Sequence, residues 1–274
     1  MTERKESGTA MLSARIGDAI EKCTRGEVAV IPFLTPRERR QAERELRTSG
    51  NWEAAWFYGG YATAERTCLF LLPDYLTALL EVAPTESETE EVLSLIGEEA
   101  EAAVAAVRIK GSGYRLLSHR DYLGSILGLG LERDALGDVA VQNEHEAVVF
   151  CPQKLVPFLC EMLTKVASDT VKCKPYTPDE KFTDGKKYAP ISGTVASERL
   201  DCVVAALTGM SREEAQRAVR SGLVEVEFEE EDRVDLFLTP PQTLSVRGYG
   251  RFILRAFDGE TRKGRLRLRA DKLI

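Results

Sequence analysis

The sequence predicts an α+β chain of several domains, and three observations carry that prediction. Helix-period and strand-period segments alternate through the first 80 residues. The centre runs strand, helix, strand, strand, helix, strand. Near the C-terminus two short helices precede a run of strands. At 274 residues the chain is long enough for two or three domains. The boundaries read as an N-terminal α/β domain at 1–80, a central domain at 81–175, a linker at 176–194 and a terminal module at 195–274.

The N-terminal part opens with a helix near 11–23 and a strand at 28–31. Thr35-Pro36 starts a second helix, with proline at its first position and Glu38 in its first turn. Strands follow around 53–58 and 67–72, and Pro73 stops the second. Residues 81–101 hold eight Glu and no Lys or Arg. With Glu86, Glu90 and Glu91 falling outside Val92, Leu95 and Ile96, the run reads as a solvated helix.

In the centre, 104–110 is a strand and Ser118 caps a helix to about Leu129. Two strands, 138–142 and 147–151, flank the polar turn Asn143-Glu-His-Glu146. A helix runs from Pro152 to about Val166, and 169–174 is the last strand. The order βαββαβ is ferredoxin-like, as in the common RNA-recognition sheet. Its third strand offers only Phe150 as an aromatic and its first offers none, so base stacking on this sheet is not expected. Gly124 and Gly128, four apart, are expected to let the helix pack closely on the sheet. The stretch 176–194 is rich in proline and glycine, which marks a linker.

The terminal module begins with Leu200, Val203, Val204 and Leu207, one apolar helical face. After Gly209, Ser211 and Glu214 form a capping box. Ala215, Ala218 and Val219 make the inner stripe, and Gly222 ends the helix. Outside lie Arg212, Gln216 and Arg220 on one ridge, with Arg217 beside it and Arg199 starting the preceding helix. Guanidinium forks on a rigid helical pair suit phosphate recognition. Arg247 and Arg251 flank Gly248-Tyr249-Gly250, a turn expected to bring both arginines to one side with Tyr249 between them. Arg265, Arg267 and Arg269 share one face of a last strand, read either as a sheet edge charged against aggregation or as a contact for RNA.

The net charge of −7 is uneven. The Glu-rich run accounts for the excess, whereas 247–274 holds nine basic and three acidic residues. Local sign governs phosphate binding more than the average does. The six cysteines match no zinc spacing and read as reduced thiols, so neither metal nor cofactor is expected. No apolar run approaches the ~20 residues that span a bilayer, and no leader is recognisable, so the cytoplasm is the expected location.

Several strings carry a resemblance. Arg199-Leu-Asp201, Ser211-Arg-Glu-Glu-Ala-Gln216, Ser221-Gly-Leu-Val224 and 245–252 resemble the RNA-binding module named after ribosomal protein S-four. Leu117-Ser-His-Arg-Asp-Tyr-Leu-Gly-Ser-Ile-Leu-Gly-Leu-Gly130, with Glu132-Arg133 and Gly137-Asp138, resembles the signature of the bacterial YlmH-like family. So do 33–38 and 59–66. The resemblance implies a non-catalytic protein bound to structured RNA, ribosomal RNA and tRNA on the large ribosomal subunit, in translation quality control. His119-Arg120-Asp121 reads first as a tripeptide that caps and orients its helix, and the resemblance adds RNA contact by His119 and Arg120 as the alternative. One departure stands out: the turn after the module's first strand lies in 225–232, which has six acidic residues in eight positions and would repel phosphate.

Two other readings compete. A pseudouridine synthase would share an Arg-Leu-Asp tripeptide, but here it lies in the binding module and no catalytic domain is recognisable. A helix-turn-helix DNA binder would share the helical pair, but not the strands that follow. His119-Arg120-Asp121 imitates a kinase catalytic loop, yet Ile126 stands where the metal-binding Asn belongs.

Overall fold

The computed structural model describes residues 2–78 and 92–274, with side chains described from residue 8. The expectations for 79–91, including Glu86, Glu90 and Glu91, fall outside the described residues. The chain is α+β and divides into two compact units, Met1–Gly185 and Lys186–Ile274. The contacts therefore do not follow the boundaries expected at 80 and 194.

Unit one starts with α1 (Thr2–Thr24), β1 (Ala29–Leu34) and α2 (Pro36–Thr48). A capping box joins Thr35 and Glu38: the Thr35 amide donates to the Glu38 carboxylate at 2.7 Å, and the Glu38 amide to the Thr35 hydroxyl at 3.3 Å. Strands β2 (Ala55–Tyr58) and β3 (Thr67–Leu71) complete an antiparallel sheet in the order β1-β3-β2. All five residues of β3 are buried, because both its faces are covered. Leu12, Ile16, Ala42 and Leu46 pack on one face with Leu69 and Leu71. Trp56, Cys68 and Phe70 look the other way.

After α3 (Asp74–Thr77) and α4 (Gly97–Ala103) comes the central sheet. It comprises β4 (Ala105–Gly111), β5 (Val139–Asn143), β6 (Glu146–Cys151), β7 (Lys165–Val166) and β8 (Asp169–Tyr176), in the order β5-β6-β4-β8-β7, every pair antiparallel. Helices α5 (His119–Leu127) and α6 (Val156–Met162) cover one face, where Tyr122, Ile126 and Leu159 meet Val107, Ile109, Val149 and Val171. The second helix is shorter than expected. Residues 153–155 form a tight 3-10 turn before it, and β7 replaces its end.

The opposite face is only partly open. Ala106, Val148 and Phe150 pack against Phe33, Trp56 and Phe70 of the first sheet. This apolar contact makes the first 185 residues one unit, since two sheets that bury a shared layer cannot separate without exposing it.

The expected linker is a correction. Phe182 packs at 5.0 Å from the Tyr61 ring and 5.7 Å from the Phe150 ring. Gln142 donates to the Thr183 carbonyl at 2.6 Å. Residues Tyr188–Val195 then form a full strand, β9, at the edge of the terminal sheet. The prolines and glycines fit that edge, where a missing N–H costs little.

Unit two holds α7 (Leu200–Thr208) and α8 (Arg212–Arg220). Its sheet has strands β10 (Val224–Val226), β11 (Glu229–Glu230), β12 (Gln242–Val246), β13 (Gly250–Glu260) and β14 (Leu266–Leu273), in the order β11-β10-β12-β13-β14-β9. The arginine-bearing β14 is therefore not an edge strand, because β9 pairs along its length. Leu268 is buried, and Arg269 points out to Asp258 at 2.7 Å.

Candidate nucleic-acid interface

The helical pair is built around a buried carboxylate. Asp201 sits in the first turn of α7 with no exposed surface. Arg212 Nε donates to its Oδ2 at 3.0 Å, Gln216 Nε2 to Oδ2 at 2.7 Å and Arg199 Nε to Oδ1 at 3.1 Å. Burial alone would raise the Asp201 pKa. The hydrogen bonds from Gln216, Arg199 and Arg212 outweigh it and hold the carboxyl well below the usual range.

The expected ridge is thereby split. Arg212 and Gln216 tie α8 to Asp201 of α7, and Arg199 holds the same carboxylate from the start of α7, whereas Arg217 and Arg220 are exposed and make no such bond. Among the described residues, neither has a carboxylate within ion-pair distance. The helical punctuation is as expected. The Ser211 amide donates to Glu214 at 2.8 Å and the Glu214 amide to the Ser211 hydroxyl at 3.2 Å. Gly209 and Gly222 take φ of +76° and +66°.

The 247–251 turn abuts α8. The Arg247 amide donates to the Leu223 carbonyl at 2.9 Å, just past the end of the helix. Tyr249, 41 % exposed, shares a shallow depression with Arg217 and Leu223. Arg247 is exposed and has no ion-pair partner among the described residues. Arg251 stands just past the turn. It lies in β13 opposite Ser245, half-buried, with its guanidinium 5.1 Å from the Phe228 ring centroid, and it shares a depression with Glu225 and Glu230. Arg247 lines that same depression, so the two arginines border one side of the turn as expected, while Tyr249 lines the other depression, with Arg217.

The acidic segment folds as a two-residue hairpin. Val226 pairs with Glu229, and Glu227 and Phe228 take φ of +52° and +67°. Such turns prefer Asn-Gly. Here the Glu227 carboxylate accepts a hydrogen bond from the Thr243 amide. Glu231 pairs with Arg233 at 2.8 Å, so part of the negative charge is neutralised internally.

In unit one, His119 and Arg120 are exposed on the first turn of α5. Ser118 and Asp121 cap that helix, with the Ser118 hydroxyl donating to Asp121 at 2.7 Å. Dehydration on one side of the His119 ring and the nearby Arg133 guanidinium lower its pKa.

Three of the family-like strings meet in one latch. Asp138 accepts from the Tyr61 hydroxyl and the Glu65 amide, both at 2.7 Å. Arg66, 6 % exposed, donates to the Leu136 carbonyl at 2.8 Å and the Phe33 carbonyl at 3.2 Å. Arg133 donates to the Gly137 carbonyl at 2.8 Å. The glycines there are steric necessities. A Cβ on Gly60 would sit 2.3 Å from the Phe150 ring, and one on Gly137 2.6 Å from the Phe33 ring. Gly124 is the reverse: a Cβ there meets nothing within 4 Å, so close packing does not explain it.

Phe150 is 1 % exposed and can stack no base. Sequence reasoning missed a row of cations on the open half of the same face: Lys110, Lys172 and Lys174. The alternating Lys172-Cys-Lys174 was the available signal, but its meaning depends on which strand lies beside it. Cys68, Cys151 and Cys173 have thiol pKa values pushed up to about 12 by burial, so these thiols stay protonated.

Residues 98–180 match the family described as "Putative RNA-binding domain in YlmH". The chain is 28 % identical over 237 residues to the "Ribosome-associated protein quality control protein P2" of Bacillus subtilis (strain 168), covering 86 % of this chain and 84 % of the relative. The solved structure "Cell division protein ylmH from Streptococcus pneumoniae" aligns over 61 % of this chain and 90 % of that one, at 19 % identity and a TM-score of 0.44.

Proposed function

We propose that the chain, which is similar to the YlmH RNA-binding domain over 98–180 and to a ribosome-associated relative over 86 % of its length, is a non-catalytic, ribosome-associated RNA-binding protein of the cytoplasm. It docks on structured RNA of the large ribosomal subunit and its tRNA, in translation quality control. We read the 186–274 unit as an S-four-type module and the central sheet as ferredoxin-like.

One observation carries the reading. Among the described residues Arg217, Arg220 and Arg247 have no ion pair, and Arg217 shares a depression with Glu214 and the exposed ring of Tyr249 at the C-terminal end of α8. Exposed guanidinium groups that make no ion pair on a rigid frame match phosphates, and a ring beside one of them matches a base or sugar. The match of 98–180 to an RNA-binding family and the ribosome-associated relative support the same class. The strand order 2-3-1-4 of the central βαββ(α)β, all antiparallel, supports the ferredoxin-like assignment.

Against a synthase stands the position of Asp201. A carboxylate with no exposed surface, held by three side-chain donors, cannot attack a nucleoside. The test is co-sedimentation of the purified chain with large ribosomal subunits, alongside gel shift on ribosomal RNA fragments. Saturable co-sedimentation that Arg217→Glu with Arg220→Glu abolishes supports the reading. Binding that survives this pair of changes refutes the assigned surface.

A further inference from the structure

We propose that the open half of the central sheet's helix-free face is a second RNA surface, which tracks a single-stranded sugar-phosphate backbone. The proposal rests on the RNA-binding reading above and adds a site separate from the helical pair.

Register places the residues. Arg108 lies directly opposite Lys174, and Lys110 opposite Lys172. Lys165 of β7 lies opposite Thr170, which by alternation shares the face of Lys172 and Lys174. Val107, Ile109, Val171 and Cys173 point the other way, into the helix-covered core. Five cations therefore share one face across three neighbouring strands. Ala106, Val148 and Phe150 occupy the same face but are covered by the first sheet. The cations lie beyond that cover, and Lys110, Lys165, Lys172 and Lys174 are all exposed.

Like charges directly opposite on a sheet destabilise it. Arg108 is relieved locally: it pairs with Glu146 at 3.1 Å and stacks 3.9 Å from the Tyr176 centroid. The four lysines have no such relief. Among the described residues, none has a carboxylate within ion-pair distance. Glu146, the acid opposite Lys110, is already engaged by Arg108. A face that keeps uncompensated cations in a chain of net charge −7 is complementary to a polyanion.

Phosphates of an extended strand supply that charge in a row, which a row of lysines on adjacent strands can follow. The loop after β4 adds Tyr114, 84 % exposed and four residues beyond Lys110. We assign that exposed ring as a stacking surface for one base of the same strand.

The experiment measures binding of the full chain to a labelled polyuridine oligonucleotide across a salt series. The variants are Lys110→Gln/Lys172→Gln/Lys174→Gln, the same three positions changed to Glu, and Tyr114→Ala. The neutral triple variant is expected to keep its melting temperature. It should lose affinity at low salt and flatten the slope of log K against log salt by roughly 2, at about 0.7 per phosphate contact on single strands. The Glu variant should lose more. Tyr114→Ala should weaken binding roughly 5- to 150-fold. Unchanged affinity and slope in both triple variants would overturn the surface. If those variants bind normally while Arg217→Glu/Arg220→Glu abolishes binding, the sheet plays no part and the helical-pair reading stands alone. If the wild-type chain binds no RNA of any kind, both readings fall. Loss in the triple variants with an unaffected Tyr114→Ala overturns the stacked base and keeps the backbone contact.

Discussion

Arg212 of α8 donates to the buried Asp201 of α7 at 3.0 Å, across the turn that separates the two helices. With Gln216 and Arg199 on the same carboxylate, three of the side chains that look like an RNA-facing set first hold the module together. The consequences for binding and for stability separate cleanly.

Asp201→Ala leaves three donors without their acceptor. Arg212 and Arg199 can turn to water, so the expected cost is about 1–3 kcal/mol, measured by urea unfolding at pH 7. The native carboxyl has its pKa below the unfolded value near 3.9. Its contribution is therefore present above that value and lost as pH falls through the window below about pH 4. Wild type and Asp201→Ala should converge in stability there. A gap that stays constant with pH contradicts the ionised hub.

Arg212→Glu places a second carboxylate against a buried one and should unfold the terminal unit or lower its melting temperature sharply. Arg217→Glu and Arg220→Glu are surface changes, expected within about 0.5 kcal/mol of wild type, yet they should abolish RNA binding. Thermal melts and gel shifts on all three variants distinguish the structural arginine from the exposed ones.

The glycines divide in the same way. Gly137→Ala and Gly60→Ala drive a methyl into the Phe33 and Phe150 rings and should each cost about 1–3 kcal/mol or more. Gly124→Ala, inside α5 with open space around it, should stabilise by about 0.5–1 kcal/mol. Denaturant midpoints test all three. A stabilising Gly137→Ala would show that the latch around Asp138 is looser than its distances imply.

Tyr249→Ala removes a ring that is 41 % exposed beside Arg217. The melting temperature should change little, and RNA affinity should weaken by about 1–3 kcal/mol, the range for aromatic–base stacking. An affinity loss that follows the unfolded fraction would make the ring a packing group.

Patterns local in the chain were legible. The Thr35-Glu38, Ser118-Asp121 and Ser211-Glu214 caps, the apolar stripe of Ala215, Ala218 and Val219, and the succession of strands and helices in the centre all depend on spacings of a few residues. The stretch 176–194 was misread because proline and glycine suit an edge strand as well as a linker. Gly124 was misread because spacing alone does not say what lies opposite a helix face.

By itself, then, the sequence determined the α+β character, the helical pair with its caps, and the class of chemistry its arginines offer. Each follows from neighbours within one or two turns. The tertiary structure alone decided which arginines are free. Arg212 and Gln216 are spent on a carboxylate across a turn, and Arg251 is held by β-register beside Phe228, whereas among the described residues Arg217, Arg220 and Arg247 have no ion pair. It also decided that one half of the central sheet is covered while the other presents Lys110, Lys172 and Lys174 together. The physical reason is range: a cap closes over three residues, but whether a charge is paired depends on side chains that only folding brings within about 4 Å.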